Sequence, residues 1–363
     1  LTEVLNPSIL KSLSEIVIRN RFHFYRPGGI LVTIEDVARL AGVSNSTVSR
    51  VLNEKEYVKE STRKKVYDAV AELGYKPSRI ARSLRANASQ IIGLIISDIQ
   101  NPFFTSLVRA VEDIAYEHNF SLLLCNTDEN PEKEKLYVDL MLSERVSGVI
   151  ITPTREHDCP ITKLLEMKVA TVCVDRQVLD CETDSVVSDN AESSYKLVEH
   201  LIENGHQRIG ALFGPSNITT FRERLAGYRK AHSQYGLTLD ENLIKQGTPK
   251  EQEGHLLANQ LLDLPDRPTA MIAGNNLMAL GAIHAIKDRN LSLPEDISLV
   301  TFDDREWAQL ITPTITVASQ PTYEMGKQAA ELVMRRIEND ESTIKHIVLE
   351  SEIILRESVV SRK

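Results

Sequence analysis

Two sets of polar residues in this 363-residue chain have types and spacings suited to recognition. The first is Asn45, Ser46, Ser49 and Arg50, on one face at the start of a predicted helix. Asparagine pairs with adenine edges, arginine with guanine, and hydroxyls with bases or phosphates, so this set can read a major groove. The second set is scattered. Asp98, Asn101, Phe103 and Phe104 follow one apolar run, Asp175 and Arg176 another, and Arg222 opens a later helix. Asn275 and Asn276, Asp303 and Asp304, and Gln320 each follow further runs. Vicinal hydroxyls donate and accept at once, so a mixture of Asp, Asn, Gln and Arg with aromatic cover suits a neutral polyol. Trp307, the only tryptophan, lies four residues beyond Asp303, where it can close over such a ligand. Singly these residues carry little, because an Asp after a strand is commonly a turn residue and adjacent Phe residues are usually core. Their convergence gives them weight.

The first set needs a helix pair to present it. Ile34, Val37, Ala38 and Ala41 follow i, i+3, i+4, i+7, the period of one helix face. Thr33 is placed to cap that helix with Asp36 three residues on, and Gly42 to end it. Ser44 is placed to cap a second helix, with Thr47 in its first turn and Val48, Val51 and Leu52 on its inner face. Two short helices joined by a glycine turn predict a helix-turn-helix whose second helix lies in the groove. A third helix is expected from about Ser61 to Leu73, with Val66, Val70 and Leu73 inward and Gly74 as its stop. Residues 77–89 then place Arg79, Arg82 and Arg85 around Leu84. This segment has too few apolar residues to fold alone, yet as a short helix on a minor groove it can insert its leucine and kink the duplex.

These residues carry a resemblance. VTIEDVARLAGVSNSTVSRVLN followed by VKESTRKKVYDAVAELGYKPSRIARSLR resembles the head of the lactose-repressor/galactose-repressor family of bacterial transcription regulators. NPFF at 101–104, GHQRIG at 205–210, RERLAGY at 222–228, LPEDISLVTFDD at 293–304 and TITVASQP at 314–321 extend it over about nine tenths of the chain. It implies DNA-binding roles for Thr33, Ser44, Asn45, Ser46, Thr47, Ser49, Arg50, Arg79, Arg82 and Leu84, with Leu84 as the minor-groove wedge of paired hinge helices. Lys59 stands where the family often has a capping Ser, a role left to Glu60 or Ser61.

The charge distribution agrees. Taken whole, the net charge of −9 argues against nucleic acid, but residues 32–90 carry eleven Lys/Arg against seven Asp/Glu, a local +4. Residues 1–31 add +2, leaving −15 for residues 91–363. A basic head on an acidic body suits one DNA-facing module. Cys125, Cys159, Cys173 and Cys181 lack metal-site spacing and are expected as free thiols in a reducing cytoplasm. No apolar run is long enough to span a bilayer and no signal-peptide core precedes the head, so a cytoplasmic protein is expected. Residues 1–31 lie outside the resemblance and are expected to be a disordered or mis-started extension.

From Ser89 strands and helices alternate. Strands are predicted at 91–96, 121–125, 148–151 and 170–174, then near 208–213, 269–273, 297–302 and 315–318. Helices are predicted near 103–118, 131–144, 160–168, 221–235, 252–263, 276–289 and 321–338. Apolar strands alternating with helices indicate parallel sheets covered on both faces, with ligands beyond the C-terminal strand ends. The fold class expected is a small all-α helix-turn-helix head plus an α/β two-lobed body of the periplasmic-binding-protein-like type.

The cleft residues also resemble those of periplasmic ribose-binding proteins, relatives of the repressor body. Matching motifs are Asn101-Pro102-Phe103-Phe104, Asp175-Arg176, Arg222 in FRERLAG, Asn275 in GNNLMALGA, Asp303 in FDD and Gln320 before Pro321. With Trp307 these form the expected effector set, and the resemblance favours ribose or a similar pentose or furanose. Asn276 departs from it, standing where both relatives usually place Asp.

The expected organisation is an extension (1–31), a helix-turn-helix domain (32–76), a hinge helix and linker (77–90), a two-lobed effector-binding and dimerisation domain (91–357) and a tail (358–363). The lobes are expected at roughly 91–190 with 305–320, and 191–304 with 321–357. Neither GxSxG, GxGxxG with an acidic partner, a P-loop nor HExxH occurs, and His206 in GHQRIG reads as structural, so no enzyme, cofactor or metal is expected. The function expected is a homodimeric repressor released from palindromic double-stranded operator DNA by a pentose. The alternatives are a corepressor-dependent regulator binding a purine-like ligand and, from another class, a solute-binding transport protein, which the helix-turn-helix opposes.

Overall fold

The computed structural model describes residues 32–52, 57–75, 89–338 and 342–363. Two compact units divide near Arg82. In the first, α1 (Ile34–Ala41), α2 (Asn45–Leu52) and α3 (Glu60–Leu73) close on Val37, Ala38, Val48, Val51, Val66 and Ala69. The caps follow the sequence. Thr33 Oγ1 accepts from the Asp36 amide at 3.3 Å and Asp36 Oδ2 from the Thr33 amide at 2.9 Å, a complete capping box. Gly42 takes φ 64°, the left-handed turn that a side chain resists. Ser44 Oγ accepts the Thr47 amide at 3.2 Å and starts α2. At α3 the expectation fails: Lys59 occupies the cap position with no side-chain bond, and neither Glu60 nor Ser61 replaces it.

The second unit holds two six-stranded sheets. The first uses β1 (Ile91–Ile96), β2 (Ser121–Asn126), β3 (Gly148–Ile151), β4 (Ala170–Val174), β5 (Asp184–Ser188) and β11 (His346–Leu349), ordered β11-β5-β4-β3-β1-β2 and parallel throughout. Helices α4 (Pro102–Glu117), α5 (Pro131–Ser143) and α6 (Ile161–Glu166) connect its strands. The second sheet contains β6 (Ile209–Phe213), β7 (Ile244–Gln246), β8 (Ala270–Ala273), β9 (Ser298–Phe302), β10 (Thr316–Ser319) and β12 (Glu352–Ile354), ordered β12-β10-β9-β8-β6-β7, with β12 antiparallel. Its helices are α7 (Asn190–Glu203), α8 (Thr219–Gln234), α9 (Glu251–Leu262), α10 (Asn276–Asp288) and the short α11 (Glu306–Leu310). The fully buried runs of β3, β6, β8 and β9 have helices on both faces, as their continuous apolar sequences require. Helices α7 and α8 meet at Gly227, and α9 and α10 at Gly281. A Cβ at either glycine would fall on a backbone oxygen of the facing helix.

The late chain returns differ from the expected partition. Thr316–Ser319 pairs with β9, so residues 305–320 belong to the second lobe. Helix α12 (Thr322–Ile337) goes back to the first, where Met325, Ala329, Leu332 and Val333 join the core of β1, β3 and β4. Hydrogen bonding to the edge of β9 and the apolar face of α12 decide the two assignments. The elements β5, β7, β11, β12, α7 and α11 were not expected from the sequence. Nor do residues 358–363 hang free. Ser358 is buried and bonded to Thr316 and Leu299, and the Arg362 amide donates to Asn204 O at 2.8 Å.

Candidate functional site

A cavity of the second unit lies where strand ends of the two lobes face each other. It is lined by Asp98, Asn101, Phe103, Phe104, Glu129, Asp175, Arg176, Thr220, Phe221, Arg224, Pro249, Asn275, Asp303 and Gln320, around some 400 Å³ of space including its mouth. All the lining residues but Arg224, in the second turn of α8, follow a strand or open a helix, where the backbone turns its polar groups away from the sheet.

The first lobe contributes charge. Asn101 caps α4, its Oδ1 accepting the Phe103 amide at 3.0 Å, which sets Phe103 and Phe104 edge to face with centroids 4.9 Å apart. Arg176 is buried and gripped by Glu129 through two bonds of 2.7 and 2.8 Å, with Pro153 O as a further acceptor at 3.0 Å. Burial opposes its charge, but Glu129 and Asp175 outweigh that and hold the guanidinium protonated more firmly than usual. Its Nε has no hydrogen-bond partner, lying 3.5 Å from Asp175 Oδ2 without bonding it. Burial lifts the Asp175 carboxyl to about 6 against the opposing pull of Arg176 and Arg224.

The second lobe contributes mainly amides. Asn275 caps α10 through the Met278 amide at 2.8 Å and donates to Pro249 O at 3.1 Å. Asp303 accepts from Gln320 Nε2 at 2.7 Å. Across the cavity Asn276 Nδ2 donates to Asn101 Oδ1 at 3.1 Å. Because that oxygen is already fixed as an acceptor by the Phe103 amide, residue 276 must be a donor, and the departure to Asn fits its place.

Eight of the expected effector residues are brought together: Asn101, Phe103, Phe104, Asp175, Arg176, Asn275, Asp303 and Gln320. Arg222 is not among them. It is half exposed and pairs with Glu156 at 3.1 Å. Arg224 takes the place expected for it, buried, its guanidinium 3.8 Å from the Phe302 ring centroid, with Nε donating to Asn190 Oδ1 at 2.9 Å and NH1 to Gly274 O. The signal was in the sequence: Phe221, Arg224, Leu225 and Tyr228 keep the helical period of the buried face, and Arg222 does not. Trp307 also lies elsewhere. Helix α11 turns it onto the core of the second lobe, against the cluster containing Ala308 and Ile315. Glu129, Thr220, Phe221 and Pro249 were missed, lying in turns and helix starts without a distinctive pattern. His206 is buried, its Nδ1 2.9 Å from Thr269 Oγ1 and Nε2 3.1 Å from Val360 O, and burial pushes it down to about 4, a neutral structural group.

In the first unit, Ser44, Asn45, Ser46 and Arg50 are exposed around the start and outer face of α2, with Thr47 and Ser49 partly covered. Ser44 Oγ lies within 2.9 Å of both the Ser46 and Thr47 hydroxyls. Thr33 is exposed before α1. Arg79, Arg82, Leu84 and Arg85 lie outside the described residues. Cys125, Cys159, Cys173 and Cys181 are free thiols. Among the described residues, no group of three His, Cys, Asp or Glu side chains is arranged to hold a metal ion, and no helix is long and apolar enough to cross a membrane.

Comparison with known proteins is consistent across the chain. Residues 33–78 match the model of bacterial regulatory proteins of the lacI family, and residues 89–354 that of periplasmic binding proteins and the sugar binding domain of the LacI family. The HTH-type transcriptional repressor PurR of Photobacterium profundum is 35% identical over 331 residues, 91% of this chain and 99% of the relative. The lac repressor dimer bound to operator and the anti-inducer ONPF is similar with TM-score 0.79 and 30% identity, over 91% of this chain and 100% of that one. A LacI family transcriptional regulator from Enterococcus faecium with bound ribose gives TM-score 0.66 and 29% identity, over 75% and 100% respectively.

Proposed function

The chain belongs to the lacI family of bacterial regulatory proteins and is a ligand-responsive transcriptional repressor, and from that premise we propose that ribose or a similar pentose or furanose releases it from a palindromic operator. The observation that carries the ligand class is how the cavity's cations are already used. Arg176 is neutralised by Glu129, and Arg224 donates to Asn190 and Gly274 while the carboxylates of Asp303 and Asp175 offset its charge. Asp175, Asp303, Asn275 and Gln320 then line the space left for a ligand, with Phe103, Phe104 and Phe221 beside them. That mixture suits an uncharged polyol and gives a phosphate or carboxylate little to bind. The similarity to a relative with bound ribose supports the same reading.

In this reading residues 32–76 bind DNA, 77–90 form the hinge and 91–357 bind effector and dimerise. Asn45, Ser46 and Arg50 contact bases, Thr33, Ser44, Thr47 and Ser49 orient or touch the backbone, and Arg79, Arg82 and Leu84 act at the minor groove. A two-fold dimer doubles the few base pairs one helix-turn-helix covers, in line with the operator-bound dimer it resembles. It works in a compartment with DNA and uses no cofactor. The first lobe begins at Ser89, whose Oγ donates to Arg145 O at 2.8 Å, so movement of this lobe acts on the segment before it. The similarity to PurR, with the aromatic rings of the cavity, favours a second reading: a purine-like corepressor that strengthens DNA binding.

Calorimetric titration with ribose, other pentoses, hexoses and purines, with and without operator, separates the two. Sugar binding weakened by operator is expected, with DNA binding weakened by sugar to the same factor, because coupling is reciprocal. Purine binding that tightens on DNA would replace the first reading with the second. Arg50→Ala should cost about 1–3 kcal/mol of discrimination between matched and mutated operators in a competition assay.

A further inference from the structure

Just outside the cavity, Lys250 reaches from the loop before α9 in the second lobe to two carboxylates of the first. Its Nζ lies 2.8 Å from Asp98 Oδ2 and 2.8 Å from Asp128 Oδ1. We propose that Lys250 is an ionic latch that positions Asp98 and holds the two lobes together across the mouth of the cavity. This contact is between protein groups only, so it adds to closure whatever the effector, and it goes beyond the function proposed above without depending on it.

The surrounding geometry is built for the contact. Asp98 is buried, and its other oxygen accepts the Gln100 amide at 3.0 Å, so Lys250 completes the bonding of a carboxylate on the cavity wall. Asp128 and Glu129 both have left-handed backbones, φ 56° and 58°, a costly conformation for two consecutive residues with side chains. That turn sends the neighbouring carboxylates to different cations, Asp128 to Lys250 and Glu129 to Arg176. The two carboxylates strengthen the ammonium against the cost of its partial burial and hold its proton above the usual lysine range. Lys133 also approaches Asp128, at 3.8 Å, but comes from the same lobe and cannot bridge. With a side chain about a third exposed, Lys250 is open to screening by salt, and the latch must weaken as ionic strength rises.

Amide hydrogen exchange on the full chain, without effector or DNA, tests this apart from any claim about either. In about 20 mM salt, Lys250→Met should speed exchange of the 97–101 and 247–251 amides about fivefold, and Asp128→Asn, which leaves the cavity wall intact, should act in the same direction. In about 0.5 M salt the wild-type rates should approach those of Lys250→Met, while the variant changes little. Unchanged circular dichroism would show both variants folded. Equal exchange in wild type and Lys250→Met at low salt, or wild-type exchange indifferent to salt, would overturn the latch.

Discussion

Asp175 and Asp303 occupy the same place in two copies of one topology. Each follows the fourth strand of its lobe, each has a left-handed backbone, φ 67° and 70°, and each donates its amide to the next strand, at Val186 O and Ala318 O. Their surroundings differ. Beside Asp175 stands Arg176, bound to Glu129, whereas beside Asp303 stands the Gln320 amide, and its neighbour Asp304 points away to Arg356. The first lobe therefore faces the cavity with an arginine bonded directly to a carboxylate, and the second with Asp303 bonded to a neutral amide and Arg224 bonded to neutral acceptors. Matching backbones fix where a side chain emerges, while its neighbours decide what it can recognise.

Removing one cation from each lobe should separate these designs most strongly. Arg176→Met leaves Glu129 shielded without its partner and should lower unfolding free energy by about 3–5 kcal/mol in urea titration. Arg224→Met frees only neutral acceptors on Asn190 and Gly274 in direct contact and should cost less, about 1–3 kcal/mol, while still abolishing effector binding. Equal stability losses would undo the distinction.

The next effect is in pH. Native Asp175 keeps its proton to about 6, whereas unfolded chains lose it near 4, so the native state binds more protons between those values. This stabilisation is present at low pH and is lost as pH rises from about 4 to about 6, by about 3 kcal/mol at most. Asp175→Asn should remove that part of the slope, seen as a smaller fall in urea midpoint over the window. Smaller still, Asn276→Asp sets an acceptor against Asn101 Oδ1 and should cost about 1–2 kcal/mol, whereas Asn101→Ala in the same background should relieve part of it in a double-mutant cycle. Least of all, Arg222→Ala and Trp307→Phe should each change effector affinity by no more than about fivefold in calorimetry, since one is a half-exposed ion pair and the other packs away from the cavity. A loss as large as that of Arg224→Met would restore them to the site.

The head was almost fully legible because its determinants are local. Thr33, Asp36, Gly42 and Ser44 act within one turn of themselves, and only the cap of α3 was misjudged. The strands of the body were legible where continuously apolar. Asp184–Ser188 was not, since two valines among polar residues do not announce a fully buried strand. Asn101 and Asn275 could be placed because each follows an apolar run within a recognisable motif, and the caps they form fix their side chains there. Arg222 and Trp307 were misplaced because adjacency to a strand end gives position along the chain but not direction. Lys250 with Asp98, and the crossing of β10 and α12 between lobes, join residues far apart in sequence, which no local pattern encodes.

The chain passes between the lobes at three points, after β5, after β10 and between β11 and β12. Two of these are stitched to each other: Asp189 donates its amide to Leu349 O at 3.1 Å and accepts the Ser351 amide and hydroxyl at 2.9 and 2.8 Å. Beside them, Asn190 holds the Nε of Arg224. A single connecting strand would let the lobes swivel about it as on a thread, but three side by side act like the leaves of a door hinge. They resist torsion and shear and leave bending as the soft degree of freedom. Ligands of different shape are then expected to differ in how far they bend the lobes about these connections, not in which direction.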